Sequence, residues 1–305
     1  MLRTRGGRVG ELHIAAEIDS QPECWRRAVE HAAEDAELLP RPGERVAAIG
    51  CGTSWFMAMA YAALREAAPG GGLTDAFAAS EFPVGRAGAG RYDRIVAITR
   101  SGTTTEVIDL LAAVRGVTPA TVLTAAPGAP VAELASPVVL SYADERSVVQ
   151  TRFATSTLAL LRASLGEELA GVVGDAKAAL AAPLGALVAV AQFSFLGAGW
   201  TVGLAHEAAL KLREAAQLWT EAYPAMEYRH GPISIAEPGR AVWMFGTAPA
   251  GLAEEVAATG AEFVTSDLDP MAHLVLAQRV AMAIAAARAL NPDHPRALTR
   301  SVILD

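Results

Sequence analysis

Cysteine is almost missing from this chain: Cys24 and Cys51 are the only 2 in 305 residues, with no CxxC spacing and no histidine cluster beside them. That excludes a disulfide framework and a structural zinc site, so the expected metal and cofactor content is none. A basic surplus is missing as well. The 25 Lys and Arg against 33 Asp and Glu give a net charge of −8, the wrong field for nucleic acid, whose phosphates must be neutralised. A local basic pocket for a small anion is still compatible with that total. The opening MLRTRGGRVGELHIAAEIDS is basic but has no apolar segment of the kind a signal peptide needs, so a cytoplasmic location is expected.

Nucleotide signatures also fail. In Gly50-Cys-Gly-Thr-Ser54 the third glycine of G-x-G-x-x-G is Trp55, and after Gly197-Ala-Gly199 that position is Val202. No Walker A motif occurs either, which removes nicotinamide and ATP readings. Residues 178–205 carry no charge and are long enough to span a bilayer. Pro183, Gly185, Gln192, Gly197, Gly199 and Gly203 interrupt them, which suits a buried helix, turn, strand and turn, and no membrane partner is expected.

What is present is apolar and patterned. Hydrophobic residues make up 52% of the chain, too many for disorder, and the length allows one large or two modest domains. Ser20-Gln-Pro22-Glu23 opens a helix to about Leu38, and Val46-Ala-Ala-Ile49 is a strand leading into a helix that ends near Ala68. Weaker strand character follows at residues 75–79. Arg94-Ile-Val-Ala-Ile98 is a clear strand, with a helix to about Arg115 after it. Thr121-Val-Leu-Thr124 and Val138-Val-Leu140 read as strands, and residues 147–165 as a long helix. The pattern then restarts with Phe193-Ser-Phe-Leu196, a helix from about Leu204 to Leu218, strands at Val242-Trp-Met-Phe245 and Glu262-Phe-Val-Thr265, and a helix from His273 to Leu290. Ile49-Gly50-x-Gly52 recurs as Leu196-Gly197-x-Gly199, and Leu64-Arg-Glu-Ala-Ala68 as Leu212-Arg-Glu-Ala-Ala216. Alternating strands and helices with such a repeat predict an α/β chain of two tandem domains, each a doubly wound parallel sheet flanked by helices. Ligands of such sheets bind at the carboxyl ends of the strands.

Two stretches carry chemistry. Thr99-Arg-Ser101-Gly-Thr-Thr104-Thr leaves a strand and opens a helix, so free N–H groups, a positive dipole end and several hydroxyls converge where an anion would sit. Thr103 and Glu106 also have capping-box spacing, with Thr103 as the cap. Glu207, Lys211 and Glu214 share one helix face at i, i+4 and i+7. Spacing alone fits a solvated charged face, since such pairs are common, but acid, ammonium and the loop imidazole of His230 are also proton-transfer groups. His230 by itself reads as a structural histidine. Pro224, Gly231 and Pro232 keep its segment irregular, His206 could cap a hydrogen-bond network, and Trp200 and Trp219 read as packing residues.

Taken in order, Cys51-Gly-Thr-Ser54, Ser80-Glu-Phe82, Ser101-Gly-x-Thr104, Glu207-x-Ala-Leu-Lys-Leu-Arg-Glu214, Glu221-Ala-Tyr223, Arg229-His-Gly-Pro232 and Pro295-Arg-x-Leu-x-Arg-Ser-Val302 resemble the sugar isomerase (SIS) domain family. Specifically, they resemble the isomerase half of glucosamine-6-phosphate synthase and its stand-alone relatives, over about residues 44–305. The resemblance implies a first SIS domain at 28–170, a second at 180–290, and a tail, 291–305, that closes the active site. Ser54, Thr99, Arg100, Ser101 and Thr104 would hold a sugar's phosphate, and Gly52, Thr53 and the backbone of Val148 would line the sugar. Glu214 would move the proton at C2, Lys211 would hold its carboxylate charged, and His230 would assist ring opening from the neighbouring subunit of a homodimer.

Two departures bear on the reaction. The amidotransferase half is not seen, so glutamine-dependent synthesis is not expected. The family's C-terminal lysine is Arg300 here, and a guanidinium cannot form an imine. Arg100 likewise replaces a glutamine. The expected function is aldose–ketose isomerisation or deamination of an amino-sugar 6-phosphate. The alternatives are dehydration of N-acetylglucosamine 6-phosphate and a non-catalytic sugar-phosphate sensor.

Overall fold

A computed structural model describes residues 12–87 and 90–304. Residues 1–11, which make up much of the basic opening segment, and Asp305 of the tail lie outside the described residues. The chain opens with α1 (His13–Asp19) and α2 (Gln21–Glu34), followed by β1 (Val46–Gly50), α3 (Thr53–Ala67), β2 (Thr74–Ala78), the single turn α4 (Val84–Ala87), β3 (Arg94–Ile98), α5 (Thr105–Val114), β4 (Ala120–Thr124) and β5 (Ser136–Val139). Two helices, α6 (Arg152–Ser164) and α7 (Ala170–Ala181), lead to β6 (Gln192–Gly197), α8 (Thr201–Ala216), β7 (Thr220–Pro224), β8 (Arg240–Met244), α9 (Leu252–Ala258), β9 (Glu262–Val264) and α10 (Pro270–Ala287).

The strands form two parallel sheets of matching order, β2-β1-β3-β4-β5 and β7-β6-β8-β9. Each sheet starts in its middle and doubles back, which places the switch point beside β1 in one and beside β6 in the other. Strand periodicity explains how both faces are covered. In β1, Val46 and Ala48 join a large shared core while Ala47 and Ile49 join an outer cluster with Leu110 and Leu111 of α5. In β6 and β8, Phe193, Phe195, Trp243 and Phe245 point into the same shared core, and Leu196, Val242 and Met244 point outward to Leu252 and Val256 of α9. The inner faces of both sheets therefore bury against one continuous apolar layer.

Helices α3 and α8 cross within that layer. A Cβ on Gly203 would lie 2.4 Å from the Phe56 carbonyl oxygen and 2.9 Å from the Ala60 nitrogen, so only glycine permits this approach. The uncharged residues 178–205 divide into the end of α7, a 3-10 turn, β6 and the start of α8. Among the described residues one helix, α10, is long and apolar enough to cross a membrane, and it is mostly buried in the protein.

Three local expectations are corrected. The helix expected from Ser147 begins at Arg152, because two buried carboxylates capture the preceding backbone: Glu17 accepts from the N–H groups of Arg146 and Ser147, and Glu145 from those of Thr151 and Arg152. The segment expected to be irregular before Pro224 is the edge strand β7, paired with β6. The capping box is not formed. Thr104 is the N-cap of α5 with no side-chain cap bond, while the Thr103 hydroxyl donates to Ser101 and Ser301.

Candidate active site

The first half contributes a cleft at the carboxyl ends of its sheet. Ser54 comes from the turn after β1, and Thr99, Arg100, Ser101 and Thr104 from the turn after β3. All five line one cleft with about 260 Å³ of empty space, together with Cys51, Gln150 and Arg300. The turn requires Gly102, which has φ +65° and whose Cβ would stand 2.4 Å from that of Ala129. The tail completes the wall. Ser301 Oγ lies 3.1 Å from Ser101 Oγ, 3.0 Å from Thr103 Oγ1 and 3.3 Å from Thr104 Oγ1, and Thr105 N–H donates to the Val302 carbonyl at 3.1 Å.

Arg100 is buried and its guanidinium is engaged with the protein. It donates to the carbonyls of Ser147, Val148 and Arg300 and meets Glu145 Oε2 at 3.5 Å. Burial lowers its pKa, against the Glu145 charge. Its Nε has no partner among the described residues. The Val148 carbonyl thus faces Arg100, and the Val148 N–H donates to the Asp293 carbonyl at 3.2 Å. Arg300 donates to the Glu145 carbonyl and pairs with Asp144. Burial pushes the Cys51 thiol up to about 11, so it is not a ready nucleophile.

The second half contributes the charged face of α8, and that face is not solvated. Glu207 and Lys211 are 0% and 1% exposed, while Glu214 is partly open, its side chain 18% accessible. Lys211 Nζ lies 2.5 Å from Glu214 Oε2 and 3.5 Å from Glu207 Oε1, and donates to Thr53 Oγ1 at 3.1 Å. Burial opposes the Lys211 charge, but the two carboxylates outweigh it and raise its pKa. Burial pushes Glu207 up to about 7, against the pull of Lys211. Neither Glu207 carboxylate oxygen completes a well-formed hydrogen bond among the described residues; Lys211 and the Thr53 hydroxyl are the polar groups beside it. Glu214 is not part of the cleft wall. It connects to the cleft through Lys211 and Thr53, the neighbour of Ser54.

His230 is exposed at the end of a 3-10 turn, and its ring makes no hydrogen bond or ion pair with the α8 cluster within this chain. His206 stacks on Phe56 with ring centroids 5.2 Å apart, Trp200 lies under the Arg162 guanidinium, and Trp219 is 79% exposed. Gln150 and Ser301 were not expected at the cleft, and no spacing rule in the sequence points to either.

No family model matches the chain. It is 30% identical to the glutamine–fructose-6-phosphate aminotransferase (isomerizing) of Aeropyrum pernix over 95% of its own length and 57% of that protein's. This likeness and those to solved structures support placing the chain in the SIS-domain family. It spans little more than half of that curated relative. Solved structures with this SIS fold include glucosamine-6-phosphate deaminase from Thermotoga maritima, with TM-score 0.79, 23% identity and coverage of 95% of this chain and 99% of that one. Tagatose-6-phosphate ketose/aldose isomerase from Escherichia coli superposes with TM-score 0.78 at 18% identity, covering 99% of each chain.

Proposed function

We propose that this SIS chain is an enzyme acting on an amino-sugar 6-phosphate, with removal of the C2 proton by Glu214 as its first chemical step. The observation that carries the reading is the bridge formed by Lys211, whose ammonium touches Glu214 on α8 and Thr53 beside the hydroxyl-lined cleft. An acid and an anion-binding turn from opposite halves of the chain are thereby held in one connected site. The hydroxyls of Ser54, Thr99, Ser101 and Thr104 suit a phosphate, and Arg100, though engaged with backbone carbonyls, adds positive charge to the same cleft. In this reading the two sheets are the cores of two tandem SIS domains, 28–170 and 180–290, closed by the tail.

With the sugar ring open, the Glu214 carboxylate takes the proton from C2 and the C1 carbonyl oxygen becomes an enolate. Returning the proton to C1, while the proton of the C2 hydroxyl passes to the C1 oxygen, completes an aldose–ketose isomerisation. For a 2-amino sugar the same shift leaves a ketimine, which water hydrolyses to the ketose and ammonia. Lys211, with its Nζ 2.5 Å from Glu214 Oε2, fixes the orientation of that carboxylate. Ring opening is assigned to His230 of a second subunit, because within one chain that exposed ring makes no contact with the α8 cluster.

One feature favours a second reading. Arg300 brings a permanent cation to the cleft where an imine-forming amine would be needed for a Schiff base. A C2 carbanion-like species that expels the C3 substituent, instead of being protonated at C1, gives dehydration of an N-acetylated sugar. Incubation with glucosamine 6-phosphate and N-acetylglucosamine 6-phosphate, following ammonia, ketose and an absorbing enone, separates the outcomes. Glu214→Gln is expected to lower kcat by about 10²- to 10⁴-fold. Full activity in that variant removes Glu214 from its role, and tight binding with no turnover of any hexosamine phosphate makes the protein a sensor.

A further inference from the structure

The cleft contains one group that does not match a phosphate. Ser54, Thr99, Ser101 and Thr104 offer hydroxyl donors, and Arg300 a guanidinium. Gln150 lines the same cleft, and its Oε1 is buried with no hydrogen-bond donor among the described residues. A buried amide oxygen left unpaired is destabilising, and most such atoms in folded proteins find a partner.

The segment that carries Gln150 is fixed on both sides. Before it, Arg100 donates to the carbonyls of Ser147 and Val148, and the Val148 N–H donates to Asp293. After it, the N–H and hydroxyl of Thr151 donate to Glu145 at 2.6 and 2.8 Å. The backbone therefore has little freedom to swing the amide towards another donor. A phosphate cannot supply one either, because near neutrality it carries about −1.5 to −2 charge and presents acceptor oxygens. A donor on the sugar end of the ligand would satisfy it.

We propose that Gln150 is a specificity-determining residue whose side-chain oxygen accepts a hydrogen bond from an O–H or N–H group on the sugar of a bound sugar phosphate. This rests on the sugar-phosphate reading of the cleft, but not on turnover. It separates the cleft into a donor-rich end for the anion and an acceptor for the sugar.

Calorimetric binding to the full chain tests it with inorganic phosphate, glucosamine 6-phosphate, glucose 6-phosphate and 2-deoxyglucose 6-phosphate. Gln150→Leu, and Gln150→Met as a second shape-preserving variant, are melted first to establish that they fold. Both are expected to weaken glucosamine 6-phosphate or glucose 6-phosphate about tenfold or more while leaving inorganic phosphate within about twofold. A penalty that disappears for the 2-deoxy sugar supports the assignment and puts the donor at C2. A penalty that persists there supports it with the donor on another hydroxyl. Equal affinity of wild type and both variants for every sugar phosphate overturns the assignment. So does an equal loss for inorganic phosphate, which would make the amide a phosphate donor, and so does a wild type that gains nothing from phosphate to sugar phosphate. Binding without turnover would sink the proton-abstraction reading and leave Gln150 standing, so the two failures are distinguishable.

Discussion

The first four strands of the five-stranded sheet follow the same order as the four of the other, yet the turns and helices at the two switch points carry different side chains. After β3 the turn carries Thr99, Ser101, Thr103 and Thr104, whereas after β8 it reads Gly246-Thr-Ala-Pro-Ala-Gly251, with a single hydroxyl and the short helix α9 behind it. The helices show the reverse. In the repeated Leu-Arg-Glu-Ala-Ala, Glu66 of α3 accepts from the Thr74 N–H at 2.9 Å and so anchors the edge strand β2, while its counterpart Glu214 pairs with Lys211. Ala63 stands in α3 where α8 has Lys211, and Met59 where it has Glu207. One half carries the hydroxyl-rich turn and the other the buried acid–ammonium cluster.

The sharpest way to break this comparison is to make the same substitution in both copies of the repeat. Glu214→Gln should lower kcat by about 10²- to 10⁴-fold with little change in melting temperature. Glu66→Gln should leave turnover within about threefold and cost roughly 1 kcal/mol in denaturant melts, the worth of one hydrogen bond. Equal kinetic losses would show that the halves are not specialised as described.

The next largest effect concerns the joint between them. Gly203→Val places side-chain carbons against α3 backbone, and should cost at least about 3 kcal/mol or prevent folding. Gly199→Ala, where a Cβ meets open space but φ is +56°, should cost about 1 kcal/mol. Chemical denaturation measures both, and similar losses would mean that the crossing is not a tight one.

A smaller effect depends on pH. Glu207 is raised in the folded protein to about 7 from an ordinary carboxylate value of 4.5. Between those values the folded state binds more protons than the unfolded chain, so its contribution to stability falls as pH rises through that window and levels off above it. Glu207→Gln removes this dependence, while Lys211 keeps Glu214 as its partner. The melting temperature of the variant relative to wild type should therefore move upward by several degrees from pH 5 to pH 8, on the order of 1–3 kcal/mol. A gap that does not change with pH would mean that Glu207 titrates normally.

The smallest expected effect tests the tail. Ser301 Oγ sits among three hydroxyls of the anion turn, so Ser301→Ala should free them and tighten inorganic phosphate by about two- to fivefold, the equivalent of roughly 0.5–1 kcal/mol. Weaker binding in the variant would instead make Ser301 a phosphate ligand.

Much of this arrangement could be read from the sequence, and the parts that could not share a cause. Strands β1, β3 and β6 are short and mainly apolar and end at glycine or hydroxyl residues, and α8 after Gly203 is free of glycine and proline, so local pattern is enough to find them. Spacing put Glu207, Lys211 and Glu214 on one face but could not tell a buried face from a wet one, because burial depends on α3 and the loop at Thr53. The start of α6 was misplaced because Glu17, 130 residues before Ser147, takes up backbone that a local reading assigns to a helix. The capping box failed for the same kind of reason, since Ser301 draws Thr103 away. β7 was missed because an edge strand of Thr220-Glu-Ala-Tyr-Pro224 has no apolar run of its own and gains its order from β6.

The docking of residues 291–304 has a further consequence. Asp293 accepts from the N–H groups of His13 and Ile14 at 2.8 and 3.0 Å, and ten residues later the chain passes over the anion turn. A single proteolytic cut between Pro295 and Arg300 would leave both sheets and their common core in place while releasing Ser301 and Val302 from that turn. Limited digestion should thus yield a species that melts almost like the intact chain but handles phosphate differently, a loss of competence that a stability assay alone would overlook.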